Sequence, residues 1–328
     1  MIKGYQSDIL KIYEAIREES AAELLRRREE IEKKVPRTLE IERQIGKLCL
    51  ELSMSALKTI ENREEYISNL RNKITELRIQ KSELLVSHGY DMEYLSHRYR
   101  CDKCNDTGFI GAQKCSCYKQ LLVDLYYKNS DLRDMLRINN FDTFQMDYYS
   151  QRRAEDQPES PRKNMEKNVT RAWSFINNFK SSTENLLFYG NSGTGKTFLS
   201  HCIAKELLDK GVLVVYRTAE EIIQNLRQIR FDNDSQLEDL ILNCDLLIID
   251  DLGTENVNDF SKTELFNLLN KKLLKGKKML VSTNYTIEGL SKTYSERITS
   301  RLFGSFTLCK FYGDDIRVKN NLTKMRQM

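Results

Sequence analysis

The second half of the chain alternates short apolar runs with segments of helical periodicity. From about residue 184 the apolar runs are "NLLFY", "VLVVYR", "DLLIID", "KMLVSTN" and "FTLCKF". Between two of them, the segment from Phe260 to Leu274 has the three- and four-residue apolar spacing of a helix buried on one face. Strands that alternate with helices over this length predict an α/β fold, in which helices cover both faces of a parallel sheet.

The first 87 residues have a different pattern, with dense Glu, Lys and Arg, no Phe or Trp, and one proline, Pro36. Apolar residues recur there at three- and four-residue spacing, which predicts two or three helices broken near Pro36 and near "ENREE". Such a narrow stripe forms a thin core. The helical region is therefore either a solvated appendage or a module that docks another protein, and we favour the docking module. The stripe residues are Ile41, Ile45, Leu48, Leu52, Ile67, Leu70, Ile74, Leu77 and Leu84.

Two changes in composition divide the chain further. A cysteine-rich stretch, "YRCDKCNDTGFIGAQKCSCYKQ", begins at Tyr99, and the polar stretch "QRRAEDQPESPRKNMEKN" holds the two other prolines and reads as a linker. A helix around Trp173 would then lead into the second half. The expected organisation is a helical docking region, a metal knuckle, a linker with lead-in, and an ATPase domain, at residues 1–98, 99–128, 129–170 and 171–328.

Charge and hydropathy exclude several classes of protein. Charged residues make up 30% of the chain, and the mean hydropathy is −0.57. No stretch approaches the roughly 18 apolar residues of a membrane span, and "MIKGYQSDIL" turns polar too soon for a secretory signal, so we expect a cytoplasmic protein without a membrane partner. Because 52 basic residues are nearly cancelled by 48 acidic ones, any nucleic-acid surface has to be a local patch.

The stretch "GNSGTGKTFLS" carries the clearest chemical signal. Gly190, Gly195, Lys196 and Thr197 satisfy G-x-x-x-x-G-K-[ST] in the order strand, loop, helix. The glycines let successive N–H groups point at phosphate oxygens, where the next helix also places its positive end. Lys196 is expected to reach the β- and γ-phosphates, and the Thr197 hydroxyl to ligate Mg²⁺. The predicted ATP or ADP contacts are Gly190, Asn191, Ser192, Gly193, Thr194, Gly195, Lys196, Thr197 and Phe198.

Later apolar runs end in residues that complete such a site. "LLIIDD" places Asp250 to hold Mg²⁺, directly or through water, and Asp251 where a carboxylate polarises the attacking water. Glu255 is an alternative for that last role. Asn284 ends "VSTN" and could orient the water. In "SERITSRLFGS", Arg297 and Arg301 lie one helical turn apart and fit an arginine finger offered to a neighbouring subunit.

The ordered set "GNSGTGKT", "LLIIDDLGTE", "VSTN", "ERITSRL" and "FYGDDIR" resembles the AAA+ ATPases of the DnaC/DnaI-type helicase loaders and the IstB-type transposition helpers. The resemblance covers residues from about 140 to 328. It implies that Asn284 is sensor 1, that Arg301 is the finger with Arg297 in support, and that Arg317 is sensor 2. It also implies nucleotide-governed self-association and contact with single-stranded DNA. Arg227, Arg230 and Phe231 in "LRQIRF" are candidates for that contact, although a plain amphipathic helix accounts for these three residues more readily.

Cysteines form a second cluster, well before the phosphate loop. Cys101, Cys104, Cys115 and Cys117 give C-x-x-C, ten residues, then C-x-C, which suits one tetrahedral structural Zn²⁺. An iron–sulfur cluster or a redox pair is the alternative, and His97 could replace one cysteine. The other cysteines, which we read as buried small apolar residues, are Cys49, Cys202, Cys244 and Cys309.

These observations predict an ATP-dependent loader that places a replicative hexameric helicase on single-stranded DNA. The zinc knuckle resembles that of the DnaI-type loaders, whereas the long helical region before it departs from both groups and leaves the protein partner open. One alternative is an IstB-type ATPase that serves a transposase. Another is an adaptor that binds nucleotide and barely hydrolyses it. Asp251 also departs from the glutamate that many relatives have at its position, so the water-activating residue stays open between Asp251 and Glu255.

Overall fold

The computed structural model describes residues 5–55, 62–128, 132–155 and 157–318. Within these ranges the chain divides into two compact units. One is Leu10–Cys115, and the other joins Met1–Ile9 to Ser116–Met328. None of the described helices is long and apolar enough to cross a bilayer.

Helices dominate the smaller unit, as predicted. In the described residues they are α1 (Gln6–Lys34), α2 (Pro36–Met54) and α3 (Arg63–Ser87). Pro36 is the first residue of α2, where its missing N–H costs no helical hydrogen bond. The second predicted break, near "ENREE", falls partly on residues 56–61, outside the described residues.

The packing of this unit is as thin as its apolar stripe indicates. Lys81 donates to Glu42 at 3.3 Å and Tyr66 donates to Glu51 at 2.5 Å, so α2 and α3 run antiparallel. Most stripe residues are only partly covered, and the buried apolar cluster of this unit, formed outside the stripe, is small. Its members are Ile31, Val35, Leu85 and Leu95.

Along the chain, the described residues between α3 and the first strand of the large sheet form two short strands, two 3-10 turns and three helices. The polar stretch read as a linker becomes helical at Pro161, because Ser160 accepts the N–H of Lys163 at 3.3 Å and proline suits the first turn. The elements are β1 (Phe109–Ile110), β2 (Gln113–Lys114), α4 (Ser116–Lys128), α5 (Leu132–Ile138), 3-10 turns at Phe141–Thr143 and Met146–Tyr148, and α6 (Pro161–Asn177).

The larger unit holds a parallel sheet with helices on both faces, which confirms the predicted α/β AAA+ fold. All five apolar runs form its strands in the described part of the chain, and their order is β4-β5-β6-β3-β7. The strands are β3 (Leu186–Gly190), β4 (Val214–Thr218), β5 (Leu246–Leu252), β6 (Lys278–Thr283) and β7 (Thr307–Phe311). The helices are α7 (Lys196–Asp209), α8 (Ala219–Phe231), α9 (Ser235–Asn243), α10 (Asp259–Leu274), α11 (Ile287–Thr293) and α12 (Glu296–Ser305).

Strand order decides where a ligand can bind. β3 lies between β6 and β7, although the next strand along the chain, β4, lies at the far edge. The chain therefore changes direction across the sheet after β3, and the crevice at the carboxyl ends of the strands opens there. Because the strands are parallel, the loop after β3 and the acidic end of β5 face the same edge of the sheet.

Candidate functional site

The loop between β3 and α7 needs glycine for steric reasons. Gly190 has φ +135°, and a Cβ there would lie 2.3 Å from the carbonyl oxygen of Phe311. Gly195 has φ +97°, and a Cβ there would lie 2.3 Å from the hydroxyl of Tyr149. Both conformations are strained for other residues, so the glycines predicted from the motif keep the loop close to β7 and to the 3-10 turns.

Lys196 is the first residue of α7, and only 4% of it is exposed. Its Nζ donates to the carbonyl oxygens of Gly190 at 2.8 Å and Asn191 at 2.7 Å. Burial lowers the pKa of Lys196 to about 8, although the nearby Asp251 and Asp250 carboxylates oppose the shift. A buried ammonium held only by carbonyl groups is prepared to bind an anion.

Nucleotide affinity is expected to fall as the pH rises above about 8. Phosphate would raise the pKa of Lys196 in the complex, so binding above that pH requires proton uptake, and the dissociation constant rises by up to about tenfold per pH unit. A fluorescent ATP analogue titrated between about pH 7.5 and 9.5 measures this. Lys196→Arg is the control, because arginine stays charged throughout. An equal pH dependence in that variant contradicts the assignment to Lys196.

Asp250 is the fifth consecutive buried residue of β5 and is 2% exposed. Its carboxylate accepts hydrogen bonds from the hydroxyls of Thr197 at 2.9 Å, Tyr216 at 2.5 Å and Ser282. Tyr216 and Ser282 were not predicted, because their role depends on β4 and β6 flanking β5. Hard oxygen ligands on Thr197 and Asp250 at one point fit Mg²⁺, and these are the residues that would hold it.

Asp251 follows with its backbone in the left-handed region, at φ 55°. Its N–H donates to the Ser282 hydroxyl at 2.9 Å, and the Asn284 amide donates to its carboxylate at 3.1 Å. Burial, followed by the neighbouring Asp250 charge, raises the pKa of the half-buried Asp251 above its usual value. A carboxylate with a raised pKa that faces the site is a better proton acceptor at neutral pH.

Glu255, the alternative to Asp251, is not brought to the same place. It is 5% exposed, and its carboxylate accepts the Gly253 N–H at 2.7 Å and the Tyr294 hydroxyl. Asp251 and Asn284 line the cavity described next, whereas Glu255 is not among the lining residues of the described chain. In the described chain both carboxylate oxygens of Glu255 therefore hold protein groups, whereas Asp251 faces the cavity.

A cavity of about 620 Å³ lies at this edge of the sheet. The phosphate loop and Phe198 form one side of it, and Phe198 meets Phe144 edge-to-face with ring centroids 5.7 Å apart. An apolar part of its lining was missed by sequence reasoning, since these residues lie about 40 to 50 positions before the loop, at the end of α5 and in or just after short 3-10 turns. Its apolar and aromatic residues are Ile138, Phe144, Tyr148 and Tyr149.

The predicted phosphate-loop residues form two groups, one that shapes the loop and one that lines the cavity. The Thr194 hydroxyl donates to the Asn191 carbonyl at 2.8 Å. Thr194, Asn191 and Gly190 therefore maintain the conformation of the loop. The others line the cavity and are Ser192, Gly193, Gly195, Lys196, Thr197 and Phe198.

Arg317 lies at the mouth of the cavity, where the segment after β7 crosses the phosphate loop. Its guanidinium donates to the Ser192 hydroxyl at 2.8 Å and to the Asp315 carboxylate at 2.7 Å. That hydrogen-bonded pairing holds the pKa of Asp315 at about 2. The Ile316 N–H donates to the Gly193 carbonyl at 3.0 Å, so this segment is fastened to the loop. Arg317, for which the sequence resemblance implies the sensor 2 role, thus lies at the cavity beside the phosphate loop.

Arg297 and Arg301 lie on α12 and are not among the residues that line this cavity in the described chain. Arg301 donates through Nε and Nη2 to the amide oxygen of Asn270, at 3.1 and 2.9 Å. Its guanidinium lies 4.3 Å from the ring centroid of Phe266. Arg297 is exposed and supplies its carbonyl to Arg301. A guanidinium fixed at the surface, away from its own site, is available to another molecule.

The cysteine cluster is compact. The sulfurs of Cys101, Cys104, Cys115 and Cys117 all lie within 4.8 Å of one another, and Cys101 and Cys115 are 3.8 Å apart. Thiolates about 2.3 Å from one tetrahedral zinc lie about 3.8 Å apart, so the residues fit a single ion better than a larger iron–sulfur cluster. Asp106 accepts the N–H of Cys101 at 2.8 Å, which orders the first ligand loop.

His97 and the four cysteines outside the cluster were also given roles from the sequence. The His97 ring stacks on Tyr99 with centroids 5.8 Å apart, and among the described residues the metal-binding group comprises the cysteines alone. Cys202, Cys244 and Cys309 are buried as expected. Cys49 is partly exposed on α2, so reading it as a buried residue was wrong.

Comparisons with known proteins show what this chain is similar to. A family model described as IstB-like ATP binding protein matches residues 111–322. The replicative helicase loader DnaC of Escherichia coli (strain K12) is 26% identical over 138 residues, which cover 41% of this chain and 56% of that protein. The chromosomal replication initiator protein DnaA of Buchnera aphidicola subsp. Cinara cedri (strain Cc) is 26% identical over 202 residues, which cover 60% of this chain and 41% of that protein.

A solved structure, the crystal structure of the DnaC helicase loader, aligns with a TM-score of 0.46 and 20% identity, over 54% of this chain and 99% of that chain. The chain spans about half the length of the two curated relatives. The resemblance to DnaC-type and IstB-like AAA+ proteins, drawn from the motifs, is confirmed by the family match and by the DnaC relative.

Proposed function

The chain belongs to the family of IstB-like ATP binding proteins, and from that premise we propose that it is an ATPase that loads a replicative hexameric helicase onto single-stranded DNA. One observation carries the ATPase part of the proposal. Lys196, Asp251 and Asn284 line a single cavity, and Thr197, which also lines it, donates to the buried Asp250. This is the set of groups that phosphoryl transfer to water requires.

Each residue has a chemical task in this proposal. Lys196 leaves its loop carbonyls to bind the β- and γ-phosphates, while Thr197 and Asp250 hold Mg²⁺, which neutralises phosphate charge when bound. Asp251 accepts the proton of the attacking water, which Asn284 orients. Arg301 stabilises the transition-state charge in the site of a neighbouring subunit, supported by Arg297, and Arg317 responds to the γ-phosphate.

The helicase part of the proposal is supported by the DnaC relative, which is named a replicative helicase loader. The helical region and the zinc knuckle would grip the helicase. Binding of ATP would favour assembly of several copies, and hydrolysis would release the complex.

Contact with single-stranded DNA is supported by a surface on α8. Phe231 is 71% exposed and stacks on Phe260 with ring centroids 5.8 Å apart. The Arg227 guanidinium lies 5.6 Å from the Phe260 centroid, and Arg230 is exposed beside it. Exposed aromatic rings with neighbouring arginines can stack on bases and attract the phosphate backbone.

The test is a loading assay with the full chain, the replicative helicase of the same source and circular single-stranded DNA. We expect a co-sedimenting complex with ATP, transfer of the helicase to the circle, and release after hydrolysis. Phe231→Ala should weaken DNA binding by about 1–3 kcal/mol without altering helicase binding, and the exposed Leu274→Ala is its control. Failure to bind the helicase in any nucleotide state contradicts the proposal and leaves the ATPase intact.

A second candidate function is favoured by the family description itself, which is IstB-like. In that case the partner is a transposase and the DNA is double-stranded. The same assay with duplex DNA and a transposase encoded nearby distinguishes the two, because a loader should prefer single strands and the helicase.

A further inference from the structure

The buried pair of Glu255 and Tyr294 is not used by the proposed chemistry. Their exposed fractions are 5% and 4%. One carboxylate oxygen of Glu255 accepts the Gly253 N–H at 2.7 Å, and the other accepts the Tyr294 hydroxyl. Burial and the adjacent Glu255 charge raise the pKa of Tyr294, so its hydroxyl keeps its proton and stays a donor. The pair thus joins two elements that are 39 residues apart.

On one side, Glu255 belongs to a rigid turn that also carries Asp251. The Thr254 N–H donates to the Asp251 carbonyl at 3.1 Å, and the Thr283 hydroxyl donates to the Leu252 carbonyl at 2.7 Å. Gly253 has φ +107°, and a Cβ there would lie 2.2 Å from the ring of Tyr285. With this fastening, Glu255 cannot shift independently of Asp251.

On the other side, Tyr294 stands directly before the helix that carries the arginines. Ser295 is the N-cap residue of α12, and its carbonyl accepts the Ile298 N–H at 3.0 Å. Arg297 is the second residue of α12, and Arg301 follows one turn later. Holding the Tyr294 hydroxyl therefore fixes the amino end of α12, while Asn270 and Phe266 fix the Arg301 guanidinium.

We propose that Glu255 is a positioning residue that ties α12 to the Asp251 turn, so that a subunit offers Arg301 to its neighbour in a position set by its own nucleotide site. This inference rests on the proposed function, in which Arg301 acts on the neighbouring subunit. It gives Glu255 a task in the subunit that donates the arginine, and none in activating water in its own site. A shift of about 1 Å in a finger is enough to cost up to about 100-fold in rate.

Mixed oligomers separate the two tasks. A Lys196→Ala subunit has an inactive nucleotide site but can still donate Arg301 to its neighbour, so it serves as the donor. An Arg301→Ala subunit holds nucleotide but donates no arginine, so it serves as the recipient. A mixture of the two should therefore regain hydrolysis. Adding Glu255→Gln to the Lys196→Ala donor is expected to lower the rate of the mixture by about 10- to 100-fold. Adding it to the Arg301→Ala recipient should change neither the rate nor the recipient's nucleotide affinity.

Two further variants protect this test against a simple folding defect. Tyr294→Phe keeps the ring and removes the hydroxyl, and in the donor it should reproduce the loss. Glu264→Gln, on the neighbouring helix α10, is a matched loss of charge and should have no effect in either subunit. Thermal unfolding of each variant is compared with that of the parent chain.

The outcomes that overturn the inference are distinct from failure of the proposed function. Loss of rate with Glu255→Gln only in the recipient assigns Glu255 to its own site. No loss in either position removes the coupling altogether. If the mixture without any change at Glu255 has no activity, the arginine does not act on a neighbour, and both the proposed mechanism and this inference are wrong.

Discussion

Replacing Arg301 with alanine is expected to reduce ATP hydrolysis by about 1,000-fold or more while changing nucleotide affinity by less than about twofold. The physical reason is its location. Its guanidinium is held on Asn270 and Phe266 and does not line the cavity that contains Lys196, among the residues the structure describes. In the proposed function it stabilises transition-state charge in a neighbouring subunit, so binding in its own site should not depend on it. Steady-state hydrolysis and titration of a fluorescent ATP analogue measure the two quantities.

Two controls sharpen this result. Arg301→Lys keeps the charge but loses the planar guanidinium that fits Asn270, so its rate should stay low. Arg297→Ala removes the exposed neighbouring arginine and should cost less, because the proposed function gives that side chain only a supporting role. Nucleotide affinity that falls together with the rate would place Arg301 in its own site. A rate that is negligible in the parent chain and unchanged in the variant would favour the adaptor that binds nucleotide without turnover.

Changing both Cys101 and Cys104 to serine is expected to abolish zinc binding and to unfold the knuckle. Apparent binding free energies of small structural zinc sites are about 10–16 kcal/mol, far more than this segment can gain by burial. Its strands β1 and β2 have two residues each. Metal analysis of the full chain should fall from about one zinc per chain to near zero. Protease cleavage should appear between residues 99 and 117.

The matched control is Cys49→Ser, because Cys49 is a partly exposed cysteine on α2 outside the cluster. That variant should keep its zinc. The double variant should keep its nucleotide affinity, since the residues that line the cavity lie between Ile138 and Arg317. Bound iron in the parent chain, or a knuckle that resists protease without metal, would contradict the assignment of a structural zinc.

Sequence reasoning was most accurate where the signal is local. The spacing of Gly190, Gly195 and Lys196 encodes a loop whose backbone geometry few other residues can adopt, and the structure places that loop between β3 and α7. Apolar runs of four to six residues predicted the strands because a strand buried on both faces needs apolar side chains at every position. Cysteine spacing similarly predicted a group of sulfurs that the structure brings within 4.8 Å.

The same reasoning missed contacts that depend on which elements are neighbours. Tyr216 donates to Asp250 only because β4 pairs with β5, and no pattern in "VLVVYR" shows that. The aromatic wall of Phe144 and Tyr149 reaches the cavity from a segment whose short 3-10 turns have no periodicity to detect.

By itself, then, the sequence determined the α/β class, the phosphate loop, the acidic strand end and the cysteine cluster, since each depends on residues close together along the chain. Only the tertiary structure shows how differently Asp251 and Glu255 are placed, because the two carboxylates are four residues apart and equally acidic in sequence. Packing turned Asp251 towards the cavity beside Asn284 and buried Glu255 against Tyr294. Long-range packing also placed Arg301 on Asn270, outside its own site, because side-chain contacts depend on the order of strands and not on their composition.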